Sequence, residues 1–114
     1  MINANDSLHE FSGGSENLYK YNFGLVITEG VLSLAKTFEC FWFLDIIASY
    51  IPQLKNEEFQ VWTLTKHSDS SATVKCTDGN DSVLKTQIIP WTDFNADTCT
   101  IWVEFGTALL PVEH

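Results

Sequence analysis

The 114-residue chain contains no arginine, and its six lysines face fifteen Asp and Glu, leaving a formal charge of −9 at pH 7. Without a guanidinium it lacks the side chain best suited to forked contacts with phosphate and guanine. Its charge also repels a phosphate backbone, so no direct nucleic-acid partner is expected. The three cysteines, Cys40, Cys76 and Cys99, are odd in number and widely spaced, with no CxxC pair. Neither a disulfide framework nor a zinc site is indicated, and the thiols read as small buried hydrophobes. No apolar run is long enough to cross a membrane. The most apolar window, Phe38 to Ile51, is interrupted by Glu39 and Asp45 and falls short of roughly 30 Å of hydrocarbon. The first twenty residues lack the basic start, apolar stretch and small-residue cleavage site of a secretory leader, so a cytoplasmic location is expected. Ser12, Gly13 and Gly14 have neither a strand before them nor a Gly-Lys-Ser/Thr after them, and read as a turn rather than a phosphate loop.

What is present is a core. Hydrophobic residues make up 45% of the chain and aromatics 13%, including four Trp. Area scaling predicts that roughly two thirds of the extended-chain surface is buried on folding, enough for one domain over residues 1–114 without metal or disulfide. No cofactor is expected. Residues 1–14 are a polar lead-in, with a capping-box spacing at Ser7 and Glu10 and a second helix start at Ser15 that would give one turn over Glu16 to Tyr21.

From Thr28 the spacing becomes helical. Thr28 is placed as N-cap, Glu29 in the first turn, and Val31, Leu32, Leu34 and Ala35 follow at helix period to an end near Lys36 or Thr37. A main helix over about 39–50, apolar almost all round, should finish near Tyr50 because Pro52 disfavours helix at Ile51. After Glu58 the period changes to two. Phe59 to Lys66, Ala72 to Thr77 and Val83 to Ile89 alternate as strands, with Asp78-Gly79-Asn80-Asp81 as a hairpin turn and Pro90 closing the third strand. WTDFNADT reads as a connection, and Thr100 to Leu110 as one bent strand or a hairpin about Phe105 and Gly106. The fold class is α+β: N-terminal helices packed on one face of a four- to five-stranded antiparallel meander.

Candidate chemistry is sparse. Asp45 stands in FWFLDIIA, where a carboxylate among large apolar groups suggests either a buried general acid or base in a helix–sheet pocket, or a structural acceptor for a Trp, Tyr or amide. His9, His67 and His114 have no defined spacing to the cysteines. Asp78, Asn80 and Asp81 lack the oxygen positions of a calcium loop, and no metal site is expected. Asp78, Asp81, Asp93 and Asp97 fall in turns, with Asp69, where they either solvate loop tips or form an acidic face for a basic partner. Trp42, Trp62 and Trp102 lie in predicted elements, whereas Trp91 follows Pro90 in a loop, as an exposed binding anchor or as a plug over one end of the core.

Several strings carry a resemblance: Thr28, Gly30 and Val31 at a helix start; Trp42, Leu44 and Asp45; Phe59, Val61 and Trp62; and Ile89, Pro90, Thr92, Asp93 and Phe94, with a closing ALLPVEH. Over about residues 11–114 they resemble small bacterial and mobile-element proteins of a domain family of unknown function. The chain departs from that pattern at Thr37, Phe38, Glu39 and Cys40, where small residues would join the helices. The resemblance implies a phage or plasmid setting and assigns neither an activity nor a catalytic residue.

The expectation is therefore a non-enzymatic module that binds another protein, one with a basic surface, through Trp91, Asp93, Asp97, Asp78 and Asp81. Its sharper form is a mobile-element inhibitor covering the nucleic-acid site of a host defence nuclease. The alternative is a small enzyme or ligand-binding protein using Asp45. A homodimer joined through the edge of TIWVEFGTALLP is a third arrangement.

Overall fold

Two three-residue strands precede the helices, β1 (Leu18–Lys20) and β2 (Val26–Thr28). A computed structural model describes residues 3–7 and 17–114. The Ser7–Glu10 and Ser15 helix starts run into residues 8–16, and His9 and the Ser12–Gly14 turn lie among them, outside the described set. Where a turn of helix was expected up to Tyr21, the chain is extended as β1 and pairs antiparallel with β2.

Thr28 ends β2 and caps α1 (Glu29–Thr37), its hydroxyl accepting from the Val31 amide at 3.2 Å. The helix stops in an unusual way. Glu39 adopts a φ of 52°, and the Cys40 amide reaches back to the Ala35 carbonyl at 3.0 Å, a Schellman-type end with glutamate where glycine is usual. That turn shortens the main helix from the expected 39–50 to α2 (Phe41–Ser49).

Four longer strands and a short one follow: β3 (Phe59–Lys66), β4 (Ala72–Thr77), β5 (Val83–Ile89), β6 (Thr98–Glu104) and β7 (Thr107–Leu109). β3, β4 and β5 form the expected meander, and Gly79 (φ 87°) and Asp81 (φ 69°) take the left-handed positions of the β4–β5 hairpin. The meander stops there. The chain crosses back over the sheet end, and β6 pairs with β3 instead of β5, from Phe59↔Glu104 to Thr65↔Thr98. β7 folds back on β6 about Phe105 and Gly106, then lies parallel to β2. The sheet therefore has seven strands in the order β1-β2-β7-β6-β3-β4-β5, mixed rather than purely antiparallel. The expected four to five strands fell short because β1 and β2 are too brief for a period-two pattern. The expected edge at TIWVEFGTALLP is also corrected: β6 and β7 are both interior, and the sheet ends at β1 and β5.

Alternation sorts the strands cleanly. Gln60, Trp62 and Leu64 of β3, Ala72, Val74 and Cys76 of β4, and Cys99, Ile101 and Val103 of β6 are buried. The apolar members of this set join Val31, Leu34, Phe43, Leu44 and Ile47 of the helices in one continuous core. The opposite face is half-open and rich in threonine, at Thr63, Thr65, Thr73, Thr98 and Thr100. Beyond the end of β7, the free side of β6 is occupied by the N-terminal turn Ala4–Ser7. The Asn5 carboxamide donates to the Thr100 carbonyl at 2.8 Å and accepts its amide at 2.7 Å, standing in for a neighbouring strand.

Candidate functional site

Pro90 ends β5, and the chain then runs extended across the open end of the core with a strict alternation. Thr92, Phe94 and Ala96 are buried, while Trp91, Asp93 and Asn95 are exposed. Phe94, 1% exposed, is the plug that closes this end, its ring 6.1 Å from Phe38 and edge-on to Trp42 at 6.5 Å. That leaves Trp91 free of the plugging role. It is 67% exposed, at odds with the usual burial of so large a ring.

The loop that carries it is fastened at three points. The Thr92 amide donates to the Ser70 carbonyl at 2.8 Å, the Phe94 amide to the Thr92 hydroxyl at 3.1 Å, and the Lys66 ammonium to the Phe94 carbonyl at 2.8 Å. Trp91 and Asp93 are thus displayed by a pre-set backbone, which lowers the ordering cost of any complex they form. Together with Trp42, Ile46, Ile89 and Thr92 they line a cleft of about 370 Å³.

The expected acidic residues do not form one patch. Asp93 lines the cleft, and Asp97 lies at the same end of the sheet, where its carbonyl accepts the Lys66 amide at 2.8 Å. Asp69 is also at this end. Its carboxylate accepts from the Ser71 hydroxyl and amide, which hold it below the usual carboxylate range. Asp78 and Asp81 lie in the β4–β5 hairpin, at the other end of β5 and about 20 Å from the Trp91 loop by strand rise. Asp78 is spent on that turn, Oδ1 accepting from the Asn80 amide at 2.8 Å and the Ser82 amide at 3.3 Å.

Asp45 requires a correction. It is exposed, not set between helix and sheet: Phe41, Asp45 and Ser49 share one solvent-facing line of α2, four residues apart, while Phe43, Leu44, Ile47 and Ala48 face the core. Its Oδ1 accepts from the Tyr21 hydroxyl at 2.6 Å, the structural-acceptor arrangement. Burial, then the hydrogen bond to Asp45 and its charge, push the Tyr21 phenol well above its ordinary value.

The thiols are far from nucleophilic. Burial pushes Cys40 up to about 12; Cys76 also rises to about 12, by burial and then the nearby Glu57 and Asp78 carboxylates; burial likewise raises the almost wholly enclosed Cys99 well above its ordinary value. His67 is engaged with the Thr73 hydroxyl at 2.8 Å and His114 with Glu104 at 2.8 Å, so neither pairs with a thiol. Among the described residues, no three His, Cys, Asp or Glu are placed to share a metal ion, and no helix is long and apolar enough to cross a membrane.

Compared with known protein families, the chain matches the model of a family of unknown function, DUF6876, over residues 2–114. It belongs to that family. No curated protein and no solved structure matches it.

Two features of this DUF6876 chain went unread in the sequence. Gln60 and Glu113 are polar residues on the buried side of their elements, 3% and 7% exposed. Gln60 could have been found, since it occupies an inward phase of an otherwise apolar alternation with Trp62 and Leu64. Glu113 had no local signal. Its Oε1 accepts from the Thr28 hydroxyl at 2.6 Å and the Leu110 amide at 2.8 Å, which joins two motifs 85 positions apart.

Proposed function

We propose that this DUF6876 protein is a non-enzymatic, cytosolic binding module that holds another protein through the Trp91 cleft. The supporting observation is Trp91 itself: a large ring left open on a loop fastened at three points, beside a cleft walled by Trp42, Ile46 and Ile89. Exposed aromatic anchors on rigid supports are the usual centre of binding energy at interfaces. The outer edge of β5 adjoins the cleft, unpaired among the described residues, with Val83 and Ile88 exposed. It adds a free backbone ladder next to the anchor.

The charge of −9 and the position of Asp93 in the cleft favour a partner with a basic surface. In its sharper form the module is encoded by a mobile element and covers the nucleic-acid site of a host nuclease. Asp93 and Asp97, at the Trp91 end, carry that version rather than Asp78 and Asp81.

The test is affinity capture from a native host lysate at low and high salt, with wild type beside Trp91→Ala and Asp93→Lys. Trp91→Ala should change stability by no more than about 0.5 kcal/mol, because the ring is exposed. A partner retained stoichiometrically by wild type and lost by Trp91→Ala supports the module. Weakening in high salt, and by Asp93→Lys, supports the electrostatic form. Identical captures by wild type and Trp91→Ala reject the reading.

A further inference from the structure

A second cleft lies at the far end of the core from Trp91, beyond the end of α2, and has a volume of about 220 Å³. Its one deeply buried polar group is Gln60, 3% exposed, on the helix-facing side of β3. The Trp62 indole donates to Gln60 Oε1 at 2.8 Å. An indole N–H can only donate, so this contact fixes which end of the carboxamide is oxygen and leaves Nε2 as the other. Among the described residues, Nε2 has no hydrogen-bond partner. It is not sealed in either, for the sole enclosed side-chain polar atom without a partner among the described residues is Glu113 Oε2. Gln60 lines the cleft, which is the open space beside its unsealed carboxamide. Open to the cleft, its two N–H donors are met by water when the cleft is empty and by an acceptor on a bound molecule when it is filled.

The rest of the lining is sorted by chemistry. Ile51 and Leu54, from the turn after α2, and Phe105, at the tip of the β6–β7 hairpin, supply the cleft's apolar lining. That tip is tied down, the Phe105 amide donating to the Glu58 carbonyl at 2.8 Å. The charged residues of the lining are Glu57, Glu58 and Lys55, two acids and one base.

We infer that this cleft is a binding site for a small zwitterion with an apolar side chain, an aliphatic α-amino acid, whose carboxylate meets Gln60 Nε2 and Lys55 and whose ammonium meets Glu57 and Glu58. The volume is below the 300–1,000 Å³ of sites for drug-sized ligands and suits a molecule of this size. Each part of the ligand answers a part of the lining. A carboxylic acid without an amine would face the excess of acid, and an amine without a carboxylate would leave the Gln60 donors unmet. The inference is independent of the Trp91 reading, which concerns the opposite end of the molecule.

The experiment is a nuclear magnetic resonance titration of the isotope-labelled full chain with L-leucine, following the Gln60 side-chain amide and the Phe105 backbone amide. Leucinamide, isocaproate and glycine serve as probes lacking the carboxylate, the amine and the apolar side chain. Leucine should shift both signals saturably. Leucinamide and isocaproate should each bind about tenfold or more weakly, the loss expected for a charge-assisted hydrogen bond. Gln60→Glu keeps an acceptor for Trp62 while removing the donors, and should abolish the leucine response. Glu58→Gln alters an exposed side chain, and should weaken leucine several-fold with an unchanged unfolding midpoint. No shift at Gln60 up to about 10 mM leucine overturns the proposal. So do equal shifts from leucine, leucinamide and isocaproate, which would mean apolar contact without recognition of either charged group.

Discussion

At the scale of single residues, the tightest constraint is where Thr28, Gly30 and Glu113 meet. A Cβ added at Gly30 would lie 2.7 Å from the Glu113 carboxyl carbon. That carboxyl cannot swing aside freely, because Thr28 and Leu110 both hold its Oε1. Gly30→Ala should therefore cost about 1–3 kcal/mol in a urea titration, as overpacking does. Glu113→Ala should cost a similar amount, by stripping the Leu110 amide and Thr28 hydroxyl of their acceptor. The double variant should lose clearly less than the sum, since removing the carboxyl removes the clash. Strict additivity would mean that the two residues do not share the site. Tyr21 offers a test by pH. Its phenol is raised in the folded protein above the ordinary value near 10, so folding favours the protonated ring. That stabilisation is complete below pH 10 and is lost as pH rises beyond it. Wild type should lose more stability than Tyr21→Phe between neutral pH and about pH 11; equal losses would remove the Tyr21–Asp45 pair as the cause.

At the scale of elements, the turn between the helices carries strain that a single change should relieve. Glu39 occupies the left-handed region where glycine is at ease, and its side chain is exposed. Glu39→Gly should raise stability by about 0.5–1 kcal/mol, the left-handed penalty less the added chain entropy. A lower melting temperature would show that the glutamate makes a compensating contact. The same turn shows where the sequence was legible and where it was not. α1 could be read because Thr28 caps it and its apolar residues recur at helix spacing, and β3 to β5 because their alternation is long and unbroken. Asp45 was misplaced because its sequence neighbours are apolar. The helix period sets it four residues from Phe41 and four from Ser49, on the line that faces water. The exposed half of WTDFNA was legible through Trp91, but its buried half, with Phe94 as plug, required the period-two pattern of a segment that is not a strand. The partnerships of β6 with β3 and β7 with β2 have no local signature at all.

At the scale of the whole molecule, the two sheet edges are managed differently. β1 is only three residues long, whereas β5 runs for seven with Val83 and Ile88 exposed, the kind of edge that recruits other strands. Repulsion between chains of charge −9 opposes that pairing at neutral pH. As pH falls towards the isoelectric point near 4.5, the repulsion fades, and light scattering should show self-association. Ile88→Lys should suppress it, by placing a charge on the edge strand. If Ile88→Lys associates as readily as wild type, β5 is not the surface involved.

The parallel pairing of β2 with β7 bears on how the protein is made. Val26 leaves the ribosome 81 residues before its partner Thr107, and the Glu113 carboxyl that braces the start of α1 arrives later still. Until then β2 has only β1 beside it, and a two-stranded ribbon of three-residue strands is too small to persist in water. β2 therefore gains its second neighbour only once β7 has been made, whereas β3, β4 and β5 are free to pair as they emerge. At this edge of the sheet, a strand made early is completed by one made almost last.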